Sequence, residues 1–161
     1  MRKDKLYESL TKKTGGILSL NLIASDKLKA ICKLLKTSVS YYDWVGFYFV
    51  DKEKPSQLVL GSFEGEQTEH VRIPFGKGIC GQAASLKKTV IVQDVSKEHN
   101  YLSCSTEVKS EIVIPIFCDK RIVGELDIDS HTVSAFTASD EAFLENIAKM
   151  VSGLLADCIS S

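Results

Sequence analysis

The sequence predicts an α+β domain, a largely antiparallel sheet with its terminal helices packed on one face. Three observations predict it. Apolar residues recur at three- and four-residue intervals near both ends of the chain, segments rich in β-branched and aromatic residues fill the middle, and most connections between those segments are too short for parallel crossovers. The 161 residues suit one domain, expected to span 1–161. Of these, 44% are apolar, and 20 basic side chains stand against 21 acidic ones. That composition excludes disorder and coiled coil and offers no overall attraction to nucleic acid or to an acidic membrane.

Residues 3–13 read as a short helix that stops at Gly15-Gly16. From Ser25 to about Ser40, Leu28, Ile31, Cys32, Leu35 and Val39 form one apolar stripe, so a second helix is expected there, capped by Ser25 or Asp26. Strands follow at 44–50, 57–63, 70–73, 89–92, 110–117 and 121–129, bounded by Gly, Pro and charged turns. The long connection 74–104 carries a short helix after Gly78 and an irregular stretch from Asp94 to Cys104, and its length marks it as a candidate functional loop. The last helix opens on Thr137-Ala138-Ser139-Asp140, a capping-box-like start, and turns Phe143, Ile147, Met150, Val151, Leu154 and Leu155 inward.

Strand parity gathers acidic residues. In 122–129, Ile122, Leu126 and Ile128 share one face while Glu125, Asp127 and Asp129 share the other. In the preceding strand Ile112, Ile114, Ile116 and Cys118 face the core, leaving Glu111 on the opposite side with Val113, Pro115 and Phe117. If the two strands form a hairpin across Asp119-Lys120 with their apolar faces together, 117 pairs with 121 or 118 with 122. Glu111 then lies opposite Asp127 or Asp129. Carboxylates converging in this way either stay solvated or serve a bound amine, a cation or a shared proton, and oxygen ligands alone would suit Ca²⁺ or Mg²⁺. In the first strand Trp44, Gly46 and Tyr48 share one face, a candidate pocket wall, and Val45, Phe47 and Phe49 share the other.

Five cysteines, Cys32, Cys80, Cys104, Cys118 and Cys158, are expected as thiols, and no spacing among them suggests a zinc site. Cys32 and Cys158 fall on helical stripes as core filler. Cys80, in Gly78-Ile79-Cys80-Gly81, sits at a helix start where backbone N–H groups favour a thiolate. Cys104 lies in a polar loop shortly before Glu111. The N-terminus lacks a secretory apolar region and no run is long enough to span a membrane, so a cytoplasmic protein is expected.

Asp43-Trp44-Val45-Gly46-Phe47-Tyr48, Val71-Arg72-Ile73-Pro74 with Gly76-Lys77-Gly78-Ile79-Cys80-Gly81, Lys109-Ser110-Glu111-Ile112-Val113-Ile114-Pro115 and Gly124-Glu125-Leu126-Asp127-Ile128-Asp129-Ser130 together resemble the single-domain GAF proteins that reduce free methionine-(R)-sulfoxide. The resemblance covers nearly the whole chain. It implies a GAF fold with a ligand pocket on the sheet face opposite the terminal helices. It also implies Cys104 as nucleophile, Cys80 as the resolving cysteine, and a Cys80–Cys104 disulfide that a thioredoxin-type reductant reopens. By the same resemblance Glu111, Asp127 and Asp129 are substrate-binding carboxylates and Trp44 and Tyr48 pocket aromatics; the chemistry then suits Glu111 as the proton donor, Asp127 and Asp129 as partners of the substrate ammonium, and Trp44 and Tyr48 around its methyl end. No cofactor and no metal are implied, and a homodimer is allowed. The chain departs from the family pattern at His70, where many members carry another cysteine, and in the Tyr101-Leu102-Ser103-Cys104-Ser105 loop. The alternative is a GAF module that binds a small molecule and signals without catalysis; that the chain ends at Ser161, soon after its last helix, weighs against it.

Overall fold

A computed structural model describes residues 2–102 and 106–160, with side chains through 156. Helices α1 (Lys3–Leu18) and α2 (Ala24–Ser38) precede strands β1 (Trp44–Val50), β2 (Gln57–Glu64) and β3 (Arg72–Pro74). Helix α3 (Gly78–Leu86), strand β4 (Val90–Val92) and a 3₁₀ turn at Val95–Lys97 follow. The chain then forms β5 (Ser110–Cys118), β6 (Arg121–Ser130) and helix α4 (Ala138–Ser160). The six strands form one antiparallel sheet in the order β3-β2-β1-β6-β5-β4.

Two boundaries differ from the sequence reading. Gly15 and Gly16 do not stop α1, because Ile17 and Leu18 beyond them pack on the core and that burial carries the helix through. Neither Ser25 nor Asp26 caps α2; Ile23 occupies the cap position without a side-chain bond, and Asp26 sits in the first turn, where its charge favours the dipole.

The main core lies between the sheet and helices α1, α2 and α4. It takes Val45 and Phe47 from β1, Ile112, Ile114 and Ile116 from β5, and Leu126 and Ile128 from β6, as parity requires. A second cluster on the opposite face joins Trp44, Tyr48 and Val113 to Ile79, Cys80, Ala83 and Ala84 of α3. Cys32 is fully buried, and Cys158 lies beyond the described side chains.

The β5–β6 hairpin corrects one expectation. Asp119 and Lys120 both adopt positive φ (51° and 67°), the two-residue primed turn, and this sets Cys118 opposite Arg121 and Phe117 opposite Ile122. A bulge then inserts Val123, so that Ile116 pairs with Gly124 and Glu111 with Asp129. Ile122 consequently joins the second cluster and Val123 takes its place in the main core.

At the start of α4 the main-chain N–H of Thr137 donates to Asp140 Oδ2 (2.9 Å), half of a capping box. Asp140 is fully buried. Its Oδ1 accepts from the hydroxyls of Tyr7 (2.5 Å), Tyr41 (2.7 Å) and Tyr42 (2.7 Å), and its Oδ2 from Lys3 Nζ (2.6 Å). One carboxylate therefore ties α1 and the α2–β1 connection to α4. No helix among the described residues is long and apolar enough to cross a membrane.

Candidate functional site

The sheet face under α3 presents a three-by-three array. Across β1, β6 and β5, Trp44, Asp129 and Glu111 stand in one row, Gly46, Asp127 and Val113 in the next, and Tyr48, Glu125 and Pro115 in the third. Gly46 is required because a Cβ there would lie 2.4 Å from Trp44 Cη2; the indole folds back over the glycine. Trp44 stacks on Phe63 and donates from Nε1 to the Glu66 carbonyl (2.9 Å), while Tyr48 donates from its hydroxyl to the His70 carbonyl (3.0 Å). Both aromatics are thereby anchored to the segment joining β2 and β3.

The acidic residues are buried rather than solvated. Glu125 is 0%, Asp129 1%, Asp127 2% and Glu111 6% exposed. No hydrogen bond of good geometry reaches either oxygen of Glu125, Oδ1 of Asp127 or either oxygen of Asp129 among the described residues. Their nearest polar neighbours belong to the cluster itself, Glu111 against both aspartates and the Cys80 thiol against Glu125 and Asp127. Burial, first, and the neighbouring charge of Asp127, second, hold Glu125 and Asp129 well above the ordinary carboxylate range; burial likewise raises Asp127.

Cys80 is brought into this cluster, and the structure overturns the expectation of a thiolate there. The thiol is buried, and desolvation followed by the charges of Asp127, Glu125, Glu111 and Asp129 pushes it well up, outweighing its place at the start of α3. Cys104 lies outside the described residues. His70 is not an exposed strand-end side chain: β3 begins at Arg72, and half-buried His70 lines the cavity with Tyr48, Cys80, Leu102, Glu111 and Asp127.

That cavity holds about 10 Å³, space for roughly one water. Leu102 lines it and seats on Gly78, whose φ of +64° and missing side chain both matter, since a Cβ would meet Leu102 Cγ at 2.9 Å. Asn100 fastens this loop to the start of α3. Its Oδ1 accepts from the Gly78 N–H (2.9 Å), its Nδ2 donates to the Gly76 carbonyl (2.8 Å), and its carbonyl accepts from Gln82 Nε2 (3.0 Å). Beyond Trp44 and Asp129 an open cleft of about 400 Å³ continues to solvent past Lys36, Glu66 and Val108. A wider groove of about 650 Å³ on the other side, between α4 and β5, is bordered by surface lysines and glutamates and holds no buried polar cluster.

Sequence reasoning placed Glu125 in the acidic row by parity but gave it no role, and it did not select Asn100 or Leu102, which act through contacts between loops that no local pattern encodes.

Two outcomes follow here. Asn100→Ala is expected to speed alkylation of Cys80 about five- to tenfold, the factor that loss of ~1–1.4 kcal/mol of hydrogen bonding gives, read by mass spectrometry of the Cys80 peptide. An unchanged rate would show that the loop is held by other contacts. Glu125→Met is expected to stabilise the fold by about 1–3 kcal/mol in urea melts at pH 8, by removing a buried carboxyl that no hydrogen bond of good geometry reaches among the described residues. The gain should widen as pH rises above about 4.3, because the unfolded chain ionises there while native Glu125 keeps its proton.

A GAF domain profile matches residues 20–155. The chain is 34% identical over 162 residues to the free methionine-R-sulfoxide reductase of Saccharomyces cerevisiae, covering 94% of this chain and 86% of the yeast protein. It is 38% identical over 149 residues to GAF domain-containing protein A of Dictyostelium discoideum, covering 92% of each. Among solved structures, the free methionine-R-sulfoxide reductase from Neisseria meningitidis in complex with its substrate superposes with a TM-score of 0.88 at 34% identity, over 97% of this chain and 92% of that one. The chain belongs to the GAF-domain family of free methionine-R-sulfoxide reductases.

Proposed function

We propose that the chain reduces free methionine-(R)-sulfoxide to methionine. The observation that carries this reading is the dry cage of Glu111, Glu125, Asp127 and Asp129 between Trp44 and Tyr48, four acidic residues gathered where a cationic amino acid can neutralise them. Asp127 and Asp129 receive the substrate ammonium, which selects the free amino acid over a residue within a protein. Trp44 and Tyr48 enclose its thioether end.

Cys104 attacks the sulfoxide sulfur while a carboxyl proton, held at Glu111, bonds the departing oxygen. The oxygen passes to Cys104 as sulfenic acid and methionine leaves. The Cys80 thiol then condenses with the sulfenic acid, its proton leaving with the hydroxyl as one water, and the disulfide forms. A dithiol reductant of the thioredoxin type returns both cysteines to thiols. The reaction needs no cofactor and suits a cytoplasmic setting.

The test is consumption of free methionine-(R)-sulfoxide by the purified protein with a thioredoxin system. Turnover specific to the R epimer and abolished in Cys104→Ser supports the reading. Binding of the sulfoxide without turnover would instead identify a GAF module that signals through its pocket.

A further inference from the structure

The carboxylate row alone offers oxygen ligands, but the fold adds a sulfur to it. Cys80 Sγ, one oxygen of Glu111 and one of Asp127 lie within 4.8 Å of one another, and all three residues are buried. Zinc binds thiolate at ~2.3 Å and carboxylate oxygen at ~2.0–2.2 Å, so ligands around one tetrahedral ion stand roughly 3.4–3.6 Å apart, a contraction that small side-chain rotations supply. An independent observation points to a ligand there. Asp127 is 2% exposed and lines the cavity, and among the described residues its Oδ1 has no hydrogen-bond partner.

Size and charge favour the same occupant. The cavity of about 10 Å³ beside these ligands has the size of a single water or a bare ion. Among the described residues, the basic side chains lining it are exposed Lys77 and half-buried His70 at its edge. Ca²⁺ wants six to eight oxygens and Mg²⁺ keeps several waters, for which this cavity has no room, whereas a borderline-soft ion accepts one sulfur with two or three oxygens. We propose that Cys80, Glu111 and Asp127 form a site for a borderline-soft divalent cation of the Zn²⁺ type. When it binds, the Cys80 thiol proton is released to solvent and a metal–sulfur bond forms. Given the reductase reading above, occupancy inhibits turnover, because the ion holds the resolving sulfur and the acidic groups that the substrate needs.

The experiment titrates the reduced full chain with Co²⁺ as a spectroscopic probe and then displaces it with Zn²⁺. One equivalent should give a thiolate-to-cobalt absorption that Zn²⁺ removes, that Cys104→Ser retains and that Cys80→Ser abolishes. Glu111→Gln and Asp127→Asn, checked for native circular dichroism, should each weaken Co²⁺ binding at least about tenfold, the smallest effect expected even of outer-shell groups. In turnover assays Zn²⁺ should compete with the sulfoxide, with activity restored by chelator. No cobalt–thiolate absorption, or one that persists in Cys80→Ser, overturns the site. The metal-free protein tests the function separately. A Cys80-dependent absorption without sulfoxide turnover leaves the metal site standing and removes the reductase reading; turnover without the absorption does the reverse.

Discussion

Glu111→Gln should lower turnover of free methionine-(R)-sulfoxide by about 10²–10⁴-fold, the usual worth of a positioned proton donor. Glu111 sits at the end of β5 opposite Asp129, 6% exposed, and meets both Asp127 and Asp129. Carboxyl groups in contact within a dry site hold a proton between them, because two adjacent charges cannot both persist there. A glutamine keeps the shape and can still donate a hydrogen bond, but it has no proton to give to the leaving oxygen. The loss should therefore fall on kcat with KM little changed, and steady-state kinetics on both parameters provide the check. A rise in KM alone would assign Glu111 to substrate binding and move proton delivery to another carboxyl of the cage. The pH profile of the wild type should fall on its alkaline side as the cage loses its last proton, and Glu111→Gln should flatten that limb.

Asp140→Ala should destabilise the fold by about 3–5 kcal/mol, the cost of breaking a buried charge network by removing one member. Three tyrosine hydroxyls and Lys3 converge on this carboxylate, and Tyr7 and Tyr42 are buried with it, so the loss leaves donors stranded in the core rather than at the surface. The hydrogen bonds from Lys3, Tyr7 and Thr137 hold Asp140 well below the ordinary carboxylate range against its burial. Burial, first, and the bond to Asp140 push Tyr7 up to about 12. The sign of the pH effect follows from the depressed value: between the native and unfolded values the unfolded chain binds the extra proton, so stability rises with pH. The contribution is complete above about pH 4 and drains away as pH falls below it. Urea denaturation of wild type and variant from pH 3 to 7 should give curves that converge toward acid. Parallel curves would show that the tyrosines, rather than the charge, secure α1. The caged carboxylates have the opposite sign, since they keep protons that the unfolded chain releases, so they erode stability as pH rises and the two groups together set an optimum between.

The sequence by itself determined the strand set, the antiparallel sheet, the face that most strand residues take and the acidic residues that share one face, because a period of two is a local property that burial on one side makes unambiguous. It also determined the capping role of Asp140, again a matter of spacing, though not the tyrosines that meet it from α1 and the α2–β1 connection. What the tertiary structure decided is where neighbouring elements override local chemistry. The primed turn at Asp119-Lys120 forced a bulge that exchanged Ile122 for Val123. Packing of α3 onto the acidic face turned Cys80 from an expected helix-start thiolate into a buried thiol among carboxylates. The clamp of Asn100 on Gly76 and Gly78 and the seating of Leu102 narrow the cavity to about 10 Å³. The last two features depend on groups more than twenty residues apart meeting in a buried interior, where the charge a side chain bears is set by what surrounds it.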